Sequence, residues 1–389
     1  MNPVEPTYRL PAKAVLLFQG LALVGGITLV VGLWLTPQRT WANVLLLSFY
    51  LVGLGLGGLL IVALHYVTGA QWSVPLRRVP EAMTALLPVA ALGMVAVLLF
   101  RPSLYSWLVE TDQVPDSPLG HLWLNRPFFL LRALVYLAVW MAFAVAIVRT
   151  SRRQDRERDA APTRTNLRLS SAFLVVFGFT CWLAGSDWIM SLEPKWSSTI
   201  FGVYNFAGIL LTSLAAVTLL VLLLQRHGPL SAALNEDHFH DLGTLLFGFS
   251  CFWMYIWFCQ YLLIWYANQP EETAYYFHRW QGAWPALMLL AMILNWGIPF
   301  VLLLFRAAKR APRVLGAVCV LVLVGRWFDL FTMIFPSQGE SVSIPGPLEL
   351  GLLCGAAGVA GLTFFWAFGK APVVPLNDPL SCAESSVPV

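Results

Sequence analysis

Ten apolar runs, each about 20 residues or longer, take up most of this chain: roughly 12–36, 41–67, 80–100, 127–149, 169–190, 198–225, 241–268, 283–306, 313–335 and 345–369. A helix needs about 20 such residues to cross a hydrocarbon layer about 30 Å thick, so every run is long enough for one crossing. The 389 residues are 58% hydrophobic and only 11% charged, where an ordinary soluble domain is roughly a quarter charged. The pattern predicts an all-α polytopic membrane protein with about ten transmembrane helices and no soluble domain.

The remaining charges fall between the runs, and unevenly. The amino-terminal segment and the even-numbered connections together carry 17 Lys and Arg, while the opposite side has five: Arg39, Arg101, Arg126, Lys195 and Arg279. The positive-inside rule therefore puts both termini in the cytoplasm and turns the long loops 101–126 and 269–282 outward. The net charge of +4 follows from this topology and points to no nucleic-acid partner. The first run is too long for a signal-peptide core and lacks a small-residue cleavage site, so it is expected to stay as a helix. Of six cysteines, five lie inside apolar runs and Cys382 lies in the tail, with no CxxC or ferredoxin-like spacing. That argues against a disulfide framework, an iron–sulfur cluster or covalent haem in this chain.

Two polar segments stand apart from the apolar runs, one inside the membrane domain, which spans 1–370, and one after it. The connection 150–159 reads as short, charged and mobile. The segment 371–389 is rich in Pro and Ser with no apolar period, so it reads as a disordered cytoplasmic tail. The two long outward loops end alike, in His121-Leu-Trp-Leu-Asn-Arg-Pro127 and His278-Arg-Trp-Gln-Gly-Ala-Trp-Pro285, and a proline suits the first turn of a new helix. Either the match is chance, or it marks a parallel repeat relating helices 2–5 to helices 6–9.

Ionisable residues inside or at the ends of the runs are costly to keep, so each is a candidate for proton handling, ion pairing or docking. Most lie toward the outer side. Arg132 is one turn into helix 4, Asp187 ends helix 5 with Glu193 and Lys195 just beyond, and Glu349 starts helix 10. Arg326 and Asp329 are three residues apart in helix 9 and so share a helical face. For Arg326 and Asp329 a neutralising ion pair and a proton relay both remain open; for Asp187, a loop cap or a proton-exchanging carboxyl. Arg132 reads as a structural or interfacial partner. The inner side is sparser. His65 and Tyr66 end helix 2, where an interfacial His is either simply solvated or a proton mouth, since histidine titrates near neutral pH. Helix 7 carries Phe249, Trp253, Trp257, Tyr261 and Trp265 at four-residue steps; the ridge suits packing or, more sharply, a stacked quinone ring. No paired mid-helix histidines, Walker loop, dinucleotide fingerprint or metal motif occurs.

The segment Asp187-Trp-Ile-Met-Ser-Leu-Glu-Pro-Lys-Trp-Ser-Ser-Thr-Ile-Phe-Gly-Val-Tyr204 closely resembles a signature of the NrfD-like (polysulphide-reductase membrane subunit) superfamily. So do Leu64-His-Tyr-Val-Thr-Gly69, Leu124-Asn-Arg-Pro-Phe-Phe-Leu-Leu-Arg132, Gln260-Tyr-Leu-Leu-Ile-Trp-Tyr-Ala-Asn-Gln-Pro-Glu-Glu272 and Arg326-Trp-Phe-Asp-Leu330. The likeness covers about residues 10–370 and is to the second membrane-integral subunit of bacterial alternative complex III. It implies ten helices in two four-helix bundles, helices 2–5 and 6–9, with two peripheral helices. It also implies a multi-subunit quinol:cytochrome c oxidoreductase in a bacterial inner membrane, with a sister NrfD-like subunit, a periplasmic iron–sulfur subunit, c-type haem subunits and lipids as partners. Haem c and iron–sulfur clusters are then expected in those partners, none in this chain, and quinol is the substrate of the complex. The sister subunit is usually taken as the quinol site; this one is given a proton-conducting role. The expected route opens outward near Asp187, Arg132, Arg326, Asp329, Glu193, Lys195 and Glu349, and inward near His65 and Tyr66. The outer loops are expected to bury against periplasmic subunits, since they combine Trp107, Trp123, Tyr275 and Trp280 with acids. Two other readings are a standalone transporter and the quinone-binding anchor of a molybdopterin polysulphide- or nitrite-type reductase.

Overall fold

The computed structural model describes residues 7–109, 118–157, 159–226, 228, 230–231, 233–339 and 344–379. Part of the first outward loop (110–117) and the distal tail (380–389, with Cys382) lie outside the described residues. Ten helices are long and apolar enough to cross a membrane: α1 Ala12–Leu35, α2 Pro37–Thr68, α3 Arg78–Phe100, α4 Arg126–Gln154, α5 Ala161–Leu192, α6 Phe201–Arg226, α7 Glu236–Ala267, α8 Trp284–Leu303, α9 Pro312–Gln338 and α10 Pro347–Phe368. Each coincides with one apolar run, and no strand occurs among the described residues. Hydrocarbon offers a backbone no hydrogen-bond partner, and a helix satisfies all its own. The protein is a helical, multi-pass membrane protein.

Helices α2, α3, α4 and α5 pack in a closed ring in which α5 returns to α2, and α6, α7, α8 and α9 form a second ring in which α9 returns to α6. The rings join where α2 and α5 pack on α6, and α2 and α6 are the most enclosed helices in the molecule. Helices α1 and α10 pair with each other at the periphery and lean on α2 and α3. These are the two four-helix bundles and two peripheral helices expected. Packing between helices in lipid relies on close approach of small residues. At the α1–α10 crossing Gly25 faces Gly355, and a Cβ on either would collide with the other's Cα.

Pro299 in α8 shows how a broken backbone bond is repaired. Proline has no N–H to donate to the carbonyl four residues back, that of Asn295. That carbonyl instead accepts from Ser250 Oγ of α7 at 2.6 Å, and residues Ile293–Gly297 widen into a π-helical turn.

The described residues of the connections between α2 and α3, α4 and α5, α6 and α7, and α8 and α9 lie at one end of the bundles, called here the basic face. At the other end, each bundle carries a short helix in the connection between its second and third members: Pro118–Trp123 ahead of α4, and Pro270–Arg279 ahead of α8. Proline occupies the first turn of both following helices, at Pro127 and Pro285.

Three expectations need correction. The connection 150–159 is not simply a mobile loop: α4 continues to Gln154, and Ser151 and Gln154 are buried. The tail is not disordered from 371. Residues Ala371, Val373 and Asp378 are buried, Leu376 N–H donates to Asp155 Oδ1 at 2.9 Å, and Gln154 Nε2 donates to Asn377 O at 3.0 Å. Nor is the aromatic series on α7 one face. Steps of four residues advance about 40° around a helix of 3.6 residues per turn. The series therefore winds from Trp253, wholly buried against Tyr204, to Trp265, which is exposed to the surroundings.

Candidate functional site

Asp187 and Asp329 occupy matching places: each lies near the end of the fourth helix of its bundle, seven residues before a proline, Pro194 or Pro336. Both are buried, and both have a residue four or three positions on (Ser191, Thr332) whose hydroxyl caps their own carbonyl. A buried carboxylate needs hydrogen-bond partners, and both sites supply a guanidinium and a phenol; Asp187 adds an indole, while beside Asp329 an amide oxygen accepts from the guanidinium instead.

In the first bundle Arg132 of α4 grips Asp187 with two parallel bonds, Nε to Oδ2 and Nη2 to Oδ1, each 2.9 Å. This bidentate geometry is the strong form of the pair. Tyr136 OH donates to Oδ2 at 3.1 Å, and Trp123 Nε1, from the short helix Pro118–Trp123, donates to Oδ1 at 2.9 Å. The Arg132 guanidinium also lies 4.0 Å from the centre of the Trp123 ring and 4.5 Å from that of Phe128. In the second bundle Arg326 Nη1 pairs with Asp329 Oδ2, and Tyr204 OH donates to Oδ1. Asn205 Oδ1 accepts from Arg326 Nη2 at 3.4 Å. Gly208 lets this guanidinium lie on the backbone of α6, because a Cβ there would overlap Arg326 Cζ.

Two more ionic centres lie at the same end. Glu349, at the start of α10, accepts from Arg39 Nε (2.7 Å), Arg39 Nη2 (2.9 Å), Asn43 Nδ2 (2.9 Å) and the Gly346 N–H (2.7 Å). Arg279 ends the second short helix and is almost wholly buried. It donates to Thr332 O (2.9 Å), Met333 O (3.0 Å), Tyr275 O (2.9 Å) and Glu193 Oε1 (2.7 Å). Its guanidinium sits 3.4 Å from the Tyr275 ring centre, and Tyr275 in turn stacks on Trp196 at 3.9 Å. Burial, ahead of the opposing pull of Arg279, pushes the Tyr275 phenol up to about 12, so it stays neutral. Lys195 is exposed to the surroundings. The residues expected on the outer side, Asp187, Arg132, Arg326, Asp329, Glu193, Lys195 and Glu349, are thus not one cluster. They form four separately paired centres plus an exposed lysine.

The basic face is richer than expected. His65 Nδ1 is buried without a partner and its ring packs edge-on against Trp72 at 5.6 Å. Tyr66 OH accepts from Arg77 Nη1 at 3.2 Å, and Arg77, fully buried, pairs with Asp378 of the tail. Arg78 binds Glu81 at 2.7 Å, Ser151 Oγ at 3.2 Å and Asp155, while Ser151 donates to Glu81. Burial pushes the Asp155 carboxyl above the usual range, with Arg78 pulling the other way. Asn166 Oδ1 and Ser170 Oγ, farther along α5, are buried and unpartnered.

Between the two ends the buried face of α5 is apolar. From Ser170 to Asp187, roughly 25 Å along α5, the buried positions are Phe173, Phe177, Cys181, Ala184 and Gly185. The bridging polar contact there is Trp140 Nε1 to Thr180 Oγ1, 2.8 Å. Side chains alone do not connect the faces; ordered water would have to.

Sequence reasoning passed over Tyr136, Tyr204 and Asn43, and it met Arg39, Arg77, Arg78 and Arg279 only as loop charges. The i, i+3 spacing of Arg78 and Glu81 was the available signal. Compared with known proteins, no family model matches this sequence and no curated protein matches it.

Proposed function

We propose that this chain is an integral membrane subunit of a quinol:cytochrome c oxidoreductase of alternative complex III type, the second of its NrfD-like subunits. It carries no redox cofactor, supports assembly and contributes a proton-conducting route. Electron transfer falls to partners: a sister NrfD-like subunit, a periplasmic iron–sulfur subunit and c-type haem subunits. The basic face is then cytoplasmic and the short helices 118–123 and 270–279 face the periplasm, as the positive-inside rule directs. One observation carries the reading: a buried carboxylate with an arginine and a tyrosine at the same end of the fourth helix in each bundle. Charged groups at such depth are costly, and they mark ion or proton paths when they persist. A standalone transporter is disfavoured, because its charged site would sit near mid-membrane at broken helices, whereas here the ionic centres sit at the two ends.

In this reading protons enter at the basic face through Glu81, Tyr66 and His65. They cross the apolar stretch on water and leave past Asp187 or Asp329. Moving one proton against 100 mV requires about 2.3 kcal/mol, so an open path would dissipate the gradient and the apolar stretch must act as the gate. The test is the proton-to-electron ratio of the purified complex in vesicles. Asp329→Asn and Asp187→Asn should each assemble, retain most quinol oxidation and lower the ratio. An unchanged ratio in both would reduce these residues to ion partners, and purification of the wild-type chain without haem or iron–sulfur subunits would reject the complex itself.

A further inference from the structure

A groove of about 330 Å³ opens between α3, α4 and the end of α10 at the basic face. Its wall on α4 is Met141, Ala144, Val145, Val148, Arg149 and Arg152. Those positions share one helical face and span roughly 16 Å along the axis. Leu87 and Pro88 of α3 and Trp366 of α10 complete the apolar part. Beside the groove α3 is interrupted by a turn at Thr84–Ala85, three to four residues before Pro88, and Thr84 Oγ1 donates there to Glu81 O at 2.7 Å.

The mouth is cationic. Arg149, Arg152 and Lys370 line it, and no carboxylate lies within ion-pair distance of any of them among the described residues. Arg152 donates from Nη2 to Ala367 O at 3.3 Å, but its Nε is buried without a partner. Lys370 Nζ rests 3.1 Å from the centre of the Trp366 ring, and that ring is 62% exposed, the posture of an interfacial aromatic and a snorkelling lysine. Glu81 is the one carboxylate in the lining, and its oxygens are already held by Arg78 and Ser151.

We propose that this groove is a binding site for a glycerophospholipid with a net-anionic headgroup. The phosphodiester meets Arg149, Arg152 and Lys370, and one acyl chain lies along Val148, Val145, Ala144 and Met141. Basic pockets between membrane helices select such headgroups. A zwitterionic lipid would bring its ammonium toward three cations and lose the preference. The apolar wall continuous with the cations distinguishes a lipid from a free anion, which would use only the mouth.

The test is native mass spectrometry of the full chain, loaded with phosphatidylglycerol and phosphatidylcholine of matched acyl length. Phosphatidylglycerol should be retained selectively. Each cation removed should weaken retention about fivefold, most in the triple variant R149Q/R152Q/K370Q. Val145→Trp, which fills the apolar wall from an exposed position and leaves the charges, should also expel the lipid. Should the triple variant not fold, Arg149→Gln alone, an exposed side chain, carries the same expectation. Equal retention of the two lipids, unchanged retention in Arg149→Gln, or displacement by millimolar inorganic phosphate would each overturn the assignment.

Discussion

Four donor atoms converge on Asp187, and this decides how its neighbours respond to mutation. Removing Arg132 as Met leaves a buried carboxylate with two neutral donors, and breaking such a pair typically costs about 3–5 kcal/mol. Arg132→Met should therefore lower unfolding stability in a detergent titration by roughly that amount. The double variant R132M/D187L should recover much of the loss, because no charge is left behind. Glu349 offers a milder case: Arg39 is 26% exposed where Arg132 is 7%, so removing it as Gln opens the carboxylate to solvent beside Asn43 and the Gly346 N–H. Arg39→Gln is thus expected to shift the same titration by less than Arg132→Met does. Asp187, Arg132 and Glu349 were legible in the sequence, since a charge inside or at the edge of an apolar run stands out, whereas Arg39 read only as a loop charge. Their phenol and indole partners were not: Tyr136, Tyr204 and Trp123 look like ordinary aromatic residues of such a run. The pairing was equally hidden, because Arg39 and Glu349 are 310 positions apart and only the folded arrangement joins them. On the basic face the error ran the other way. Arg77, Asp155 and Asp378 lie in polar connections that read as solvated, yet burial and mutual pairing make them part of the interior.

Helices were the most legible layer, because a crossing demands an uninterrupted apolar length and nothing else in the chain imitates one. Their ends were less so: α4 and α5 extend several residues past the apolar signal, where Arg, Gln and Thr continue the helix through the headgroup zone. The bundle arrangement has no local signature at all; it rests on which glycines, serines and prolines face each other. The Ser250–Asn295–Pro299 contact tests this at the level of one helix pair. Ser250→Ala should destabilise by about 1 kcal/mol through the unmet carbonyl of Asn295. In a Pro299→Ala background, where the backbone can donate again, the same substitution should have a smaller effect, and a double-mutant cycle reads the difference. At the periphery, Gly355→Leu should separate α10 from α1, since the two backbones touch at Gly25. A disulfide cross-link between cysteines placed at Thr28 and Gly351, whose side-chain positions abut, is expected to form in the parent chain and to fail in that variant.

Across the whole molecule, the two bundles repeat one plan: a short helix between the second and third members reaches over to the end of the fourth, through Trp123 in one case and Arg279 in the other. The basic face departs from that symmetry, because only the first bundle is closed there by the segment 371–379. A chain shortened to end at Lys370 should keep its ten helices but leave Arg77 buried without Asp378. Its unfolding stability is expected to fall by a few kcal/mol, and trypsin should cut at Arg153 and Arg156 sooner than in the full chain. Arg77 and Asp378 stand 301 positions apart, a separation that has a meaning in time as well as in space. During synthesis Arg77 reaches the membrane boundary when only two crossings have been made, and its counter-ion is translated after the tenth. The buried pair can therefore close only after all ten crossings have been made, so its formation is a late event in folding.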